Sequence, residues 1–290
     1  MTFEEVLAEA VRAMRVAAWD ATHEALARAE TLASTEAEHA LVNIHHASVA
    51  VLQGRTNAEW QVFQENILRR YSARHVSLAA YYLVVSATDR GDRKTADRYL
   101  PILLDSSREF GDPGRILMSY DVAAAVESMR GNHIAAVEYG RVALAEAQSS
   151  YAGDDKALTI ASIAHNLAYN CLAANEYRDA IQAIDIALEH AESTGNREVL
   201  RQVLITAAFA YLSREKREEA LAFIDRAEPL ARESRFERYV HYVRGEVARR
   251  GGDREAAAEH FRRLESSYPD IPGVAEMLLS MNVAPFLMPE

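Results

Sequence analysis

Residues Thr159–Gly195 read TIASIAHNLAYNCLAANEYRDAIQAIDIALEHAESTG, and the rest of the chain is organised around them. Apolar residues recur at helical steps on both sides of Asn175-Glu176, which predicts two amphipathic helices folded about a short turn. A pair of that size cannot bury its apolar faces alone, so it requires neighbours of the same kind.

The small and large residues of this pair follow a definite order. Ala168, Ala180 and Ala187 stand where two helices cross closely, and Leu167, Cys171, Tyr177 and Ile184 fill the larger places between them. In that order the stretch resembles one unit of the tetratricopeptide (TPR) family, the alanines taking the eighth, twentieth and twenty-seventh places of the unit. The twentieth place recurs at residues 25, 59, 96, 136, 180, 220 and 257, with spacings of 34, 37, 40, 44, 40 and 37. These mostly exceed the minimal repeat of about 34 residues, as in longer-unit bacterial arrays. The resemblance implies an all-α right-handed superhelix, an α-solenoid of about seven helix hairpins over residues 3–268, forming a single domain.

Taken in order, helices are expected over about 2–18, 21–34, 36–53 and 57–74, the last pair divided by Gly54-Arg55-Thr56. Glu59 replaces the expected small residue there. The next hairpin breaks at Asp89–Asp92, with Gly91 as a C-terminal cap and Asp92 as the following N-cap. Pro113 opens a helix, where its missing N–H costs nothing. Gly140 stands in a large-residue place, which lets a neighbouring side chain fill the space or permits backbone contact. Later units carry Ala208, Tyr211, Ala220, Ile224 and Ala227, then Gly245, Gly252, Ala257, Phe261 and Pro269. Residues 270–290 read as a capping helix, about 273–282 with Met277, Leu278 and Met281 inward, and the apolar tail VAPFLMPE. That tail caps its own repeat or occupies a groove, in this or a second copy.

Composition limits the function. With 32 Lys and Arg against 43 Asp and Glu, the formal charge of −11 argues against a nucleic-acid surface, which needs clustered cations. Residues 197–263 nevertheless hold 15 basic and 12 acidic residues, leaving 17 and 31 elsewhere, so one part is mildly basic and the remainder strongly acidic. Such charge is a solvated outer face, or it steers a charged partner or a second copy. The single Cys171 excludes an intrachain disulfide framework and suits a reducing compartment. No apolar run reaches the ~18 residues of a membrane span, and the acidic start MTFEEVLAEAV lacks a signal peptide's basic region. A cytoplasmic protein is expected, and the excess of Arg over Lys points to a high-GC bacterial source.

The motifs that announce chemistry are missing: no phosphate-binding GxxxxGK[ST], no GxGxxG, no HExxH and no GxSxG. His45 and His46 are adjacent, so on a helix their side chains diverge and cannot share a metal. No enzyme activity, cofactor or metal is therefore expected. The TPR resemblance offers shape instead, because in that family the first helix of each hairpin lines a concave groove. Carried over, the lining places hold Tyr81, Tyr82 and Asp121; His165, Asn166 and Tyr169, with Asn170 beside them; Gln202, Ile205, Thr206 and Phe209; and Tyr239, Tyr242, Glu246 and Arg250. Aromatics supply area while Asn and Gln pair with a peptide's backbone, so the mixture suits a peptide or a partner-protein segment. The alternative is that several of these aromatics seal adjacent repeats. Asn166 matches one place of the chaperone-tail carboxylate clamp, but Asp121, Ala125, Gln202 and Thr206 stand at others, and terminal carboxylates would lack cations. The expectation is a non-catalytic interaction scaffold. An effector-sensing module that works through a separate output protein, or a self-assembling structural protein, are the alternatives.

Overall fold

Short polar side chains mark where helices begin. Asp92, Asp112, Asn196 and Asp253 each accept a hydrogen bond from the amide three residues on, satisfying a donor that the first turn leaves open. Thr35 and Glu38 form a reciprocal capping box. At the other ends Gly111, Gly195 and Gly252 take the left-handed conformation that stops a helix.

The computed structural model describes residues 1–15, 18–53, 64–68, 71–232, 236–268 and 271–280. Most of these are helical, with no strand among the described residues. The helices are α1 (Phe3–Arg15), α2 (Trp19–Leu32), α3 (Glu36–Leu52), α4 (Ala73–Asp89), α5 (Arg93–Phe110), α6 (Pro113–Met129), α7 (His133–Ser149), α8 (Lys156–Ala173), α9 (Tyr177–Thr194), α10 (Arg197–Ser213), α11 (Arg217–Ala231), α12 (Glu237–Gly251), α13 (Arg254–Glu265) and α14 (Val274–Ser280). A further helical turn covers 64–67. Arg74 lies in α4, not at the end of the preceding helix as its sequence suggests, because the chain is non-helical at Ser72 and restarts there. The expected Gly54–Thr56 turn, Glu59, Pro269, Met281 and the 283–290 tail lie outside the described residues.

The chain divides into two compact units, 1–132 and 133–290. In the first, α1 and α2 form a hairpin, α2 passes to α3, and α4 and α5 form a second hairpin flanked by α3 and α6. Its core joins Val6, Leu26 and Ile44. The Arg74 fork reaches both oxygens of Glu4 at 2.8 Å, tying α4 to α1.

In the second unit, α7 packs on α8, and the hairpins α8–α9, α10–α11 and α12–α13 follow in series, with α14 against α13. The first helix α10 also touches the first helices α8 and α12 on either side of it, making one layer. Ala168, Ala180, Ala187, Ala208, Ala220, Ala227 and Ala257 are all fully buried. Small side chains there let helix axes approach closely, and any larger one would overpack the crossing. Gly140 does the same between α7 and α8: a Cβ at that position would lie 3.0 Å from Leu167 Cδ1, so the neighbour fills the space.

The tightest approach is at Gly245 on α12. A Cβ there would lie 2.6 Å from Cδ1 of Phe261, a fully buried ring on α13. Alanine gains about 1 kcal/mol of helix propensity over glycine. The clash costs about 1–3 kcal/mol or more in a ring that has nowhere to move. Gly245→Ala is therefore expected to lower stability by about 1–2 kcal/mol in urea unfolding, whereas in an exposed helix the same change would raise it.

Candidate functional site

The first-helix layer of the second unit carries the polar and aromatic residues singled out from the sequence. On α8, Asn166 is exposed while His165 and Tyr169 are partly buried. On α10, Gln202 is partly buried and donates to Glu198 Oε1 at 3.1 Å. Thr206 is 1% exposed, and its Oγ1 lies 3.0 Å from His165 Nε2, so a hydrogen bond joins α8 to α10 across two hairpins. The two residues are 41 apart in sequence, one more than the local repeat spacing. Burial pushes the His165 imidazole down to about 4, against a smaller upward pull from the neighbouring Asn166 side chain. His165 is consequently neutral at pH 7.

Burial removes other residues from an exposed lining. Phe209 and Tyr242 are 1% and 0% exposed, and their rings stack at 5.4 Å with 14° between planes. Tyr239 meets Phe209 edge-on at 6.2 Å. These aromatics seal α10 against α12, as cross-hairpin packing demands of large rings in one layer. Asn170 is also buried, because it shares a helix face with Ile163 and Leu167, seven and three residues earlier, which are core. Ile205 is likewise core.

In the first unit Tyr82 is buried, whereas Tyr81 and Asp121 are partly buried. The two tyrosine rings meet at 4.9 Å, nearly perpendicular, and the Arg115 guanidinium lies 5.6 Å from the Tyr81 ring centroid.

Two features of the layer were not drawn out of the sequence. The first is the His165–Thr206 bond, for which the sequence carries no signal. The second is an ion-pair cluster at the end of α12. Glu246, fully buried, accepts from Arg249 Nε at 2.8 Å, Arg249 Nη2 at 2.9 Å and Arg250 Nε at 3.1 Å. Arg250 Nη1 donates to the Leu212 carbonyl at 2.8 Å, adding to the Glu215 amide that the same oxygen accepts at the α10 terminus. The spacing Glu246, Arg249, Arg250 is the helical i, i+3, i+4 pattern and was visible in principle. Its burial was not.

Nucleophilic and metal chemistry find little here. Burial pushes the Cys171 thiol up to about 12, so it is an inert core residue. Among the described residues no group of three or more His, Cys, Asp or Glu side chains is placed to hold a metal ion. No described helix is long and apolar enough to cross a membrane. An open notch of about 500 Å³, lined by Asn175–Asp179 and Arg214, sits at the hairpin turns and not on the first-helix face.

No family model matches the sequence, and no curated protein matches it either. Solved structures do. The apo form of RapI superposes with a TM-score of 0.71 at 11% identity, covering 95% of this chain and 79% of that one. The quorum sensor NprR in complex with its cognate peptide NprX gives 0.64 at 15% identity, covering 96% and 80%. Aspartyl phosphate phosphatase F from Bacillus subtilis gives 0.60 at 14% identity, covering 97% and 79%. At such identities the likeness carries the fold, which is of the tetratricopeptide type.

Proposed function

We propose that this chain is a cytoplasmic, non-catalytic binding module whose first-helix layer holds a peptide or a segment of a partner protein. The observation that carries the proposal is the α8 face. Asn166 and Tyr169, with Gln202 on α10, form a polar and aromatic surface where packing alone would accept alanine or leucine. Amides supply both donor and acceptor for a peptide backbone, and a half-buried tyrosine adds contact area at low entropic cost. A protein of the same fold has been crystallised with a peptide, and it is a quorum sensor. This favours a sensing role as the second reading, with the signal passed to a separate output protein. Because a phosphatase shares the fold too, the non-catalytic part rests on the motifs of this chain and not on its architecture.

The test is panning of a random heptapeptide library against the intact chain, followed by titration of an enriched peptide. Asn166→Ala and Tyr169→Ala are expected to weaken that peptide about tenfold, ~1.4 kcal/mol each, the range of interface anchors. Their melting temperatures should stay within about 2 °C of the parent, as for surface substitutions. Failure to enrich any peptide, or affinities unchanged in both variants, would remove the basis for this reading.

A further inference from the structure

We infer that His241 on α12 and His260 on α13 form a two-imidazole site for a divalent transition ion of the Zn2+, Ni2+ or Cu2+ class, with the remaining coordination positions taken by water or by a side chain of a partner. The pair shares no residue with the α8 face and does not depend on the peptide-binding reading.

The two rings face each other across the α12–α13 hairpin, 5.7 Å apart between centroids with 31° between planes. A zinc–nitrogen bond of about 2.1 Å sets each ring centre about 3.2 Å from the ion, so a tetrahedral angle puts two ring centres about 5.2 Å apart. The pair has to close by only about half an ångström to share one ion. His23 and His46 also stack, but at 6.5 Å they stand at the limit of a linear arrangement, about 6.4 Å, and make the poorer pair.

Both rings are half-buried, and the Nδ1 atom of each is buried without a hydrogen-bond partner. Among the described residues no hydrogen bond engages either Nε2. An ion that takes the two Nε2 lone pairs leaves each ring's hydrogen on Nδ1, one tautomer for both. The charges around the pair favour a cation: Asp225 and Glu228 on α11, Glu237 on α12 and Glu259 on α13 stand against Arg244 and Arg263. Both guanidinium groups are already held by carboxylates, Arg244 by Asp225 at 2.7 Å and Glu228 at 2.6 Å, and Arg263 by Glu259 at 2.5 Å. Burial keeps both imidazoles below their ordinary value, so protons compete weakly for the nitrogens at neutral pH. Imidazole nitrogen suits Zn2+, Ni2+ and Cu2+, whereas Mg2+ and Ca2+ prefer oxygen ligands. Two ligands from the chain make an open site, unlike a structural zinc site, which takes four.

The experiment is titration of the intact chain with ZnCl2 at neutral pH, read by calorimetry and by long-range 15N–1H NMR of the histidine rings. The strongest site is expected to hold one Zn2+ per chain, with the ring nitrogens of His241 and His260 shifting together and both rings fixed as the Nδ1–H tautomer. MgCl2 should shift neither. His241→Gln and His260→Gln should each weaken the binding more than about tenfold, since removing a ligand costs at least as much as removing a group that supports one. His23→Gln should leave it unchanged. Zn2+ binding that leaves either ring of the parent unshifted overturns the inference, as does an affinity that changes less than about threefold in both glutamine variants of the pair. An equal loss in His23→Gln, or no binding up to about 1 mM Zn2+, overturns it as well. The ring shifts are read on the unsubstituted chain, so they decide the matter even where a variant loses its fold.

Discussion

Glu246→Ala is expected to destabilise the C-terminal hairpins by about 3–5 kcal/mol, the cost of breaking a buried ion pair from one side. The carboxylate is fully buried and accepts three hydrogen bonds from Arg249 and Arg250, whose side chains are only 21% and 17% exposed. Alanine leaves two largely desolvated guanidinium groups facing each other with no anion between them. It also loosens Arg250 from the Leu212 carbonyl, and so α12 from the end of α10. Glu246→Gln keeps the shape and one acceptor oxygen but loses the charge, and should cost roughly half as much. Urea unfolding followed by far-UV circular dichroism reads both. A loss under about 1 kcal/mol for the alanine variant would mean that the arginines reach water and that the cluster contributes little.

Acidification is expected to have an effect of similar size. Burial pushes His45 down to about 3 and His165 to about 4, from an ordinary value of 6.5. Both rings stay neutral in the folded chain while the unfolded chain takes up protons near pH 6.5. Because the unfolded state binds more protons, stability falls as pH drops below 6.5, and the fall stops only below the folded values. Each imidazole contributes a slope of about 1.4 kcal/mol per pH unit, so the pair removes about 4 kcal/mol between pH 7 and 5. His46, His241 and His260 are also held below the ordinary value by burial and act in the same direction. Glu4 and Glu38, lowered by hydrogen bonds from Arg74 and from the Ser34 backbone, begin to matter only below their ordinary 4.5. The window from pH 7 to 5 therefore isolates the histidines. His45→Leu should reduce the slope by about 1.4 kcal/mol per unit. Equal stability at pH 7 and 5 would show that water or a shift of the chain reaches these rings.

Much of the architecture was legible because repeat packing is written in short-range terms. The alanines at close crossings, Asp92 as an N-cap and Pro113 at a helix start are local requirements, each read from one residue and its neighbours. The face of a helix is also local, which is why Asn166 and Tyr169 could be named together. How closely one hairpin approaches the next is different. Phe209 and Tyr242 occupy places that line a groove in wide arrays, yet their stacking closes the layer between α10 and α12. Glu246 stands at a place that lines the groove in the family, and it is the centre of a buried cluster.

By itself the sequence determined the helical class, the hairpin order and the small residues at which helices cross, because periodicity and residue volume act within one or two turns. The tertiary structure alone decided which lining residues remain in contact with water. It also paired His165 with Thr206, since exposure and hydrogen bonding across 41 residues depend on the distance between neighbouring helices, which no local pattern encodes.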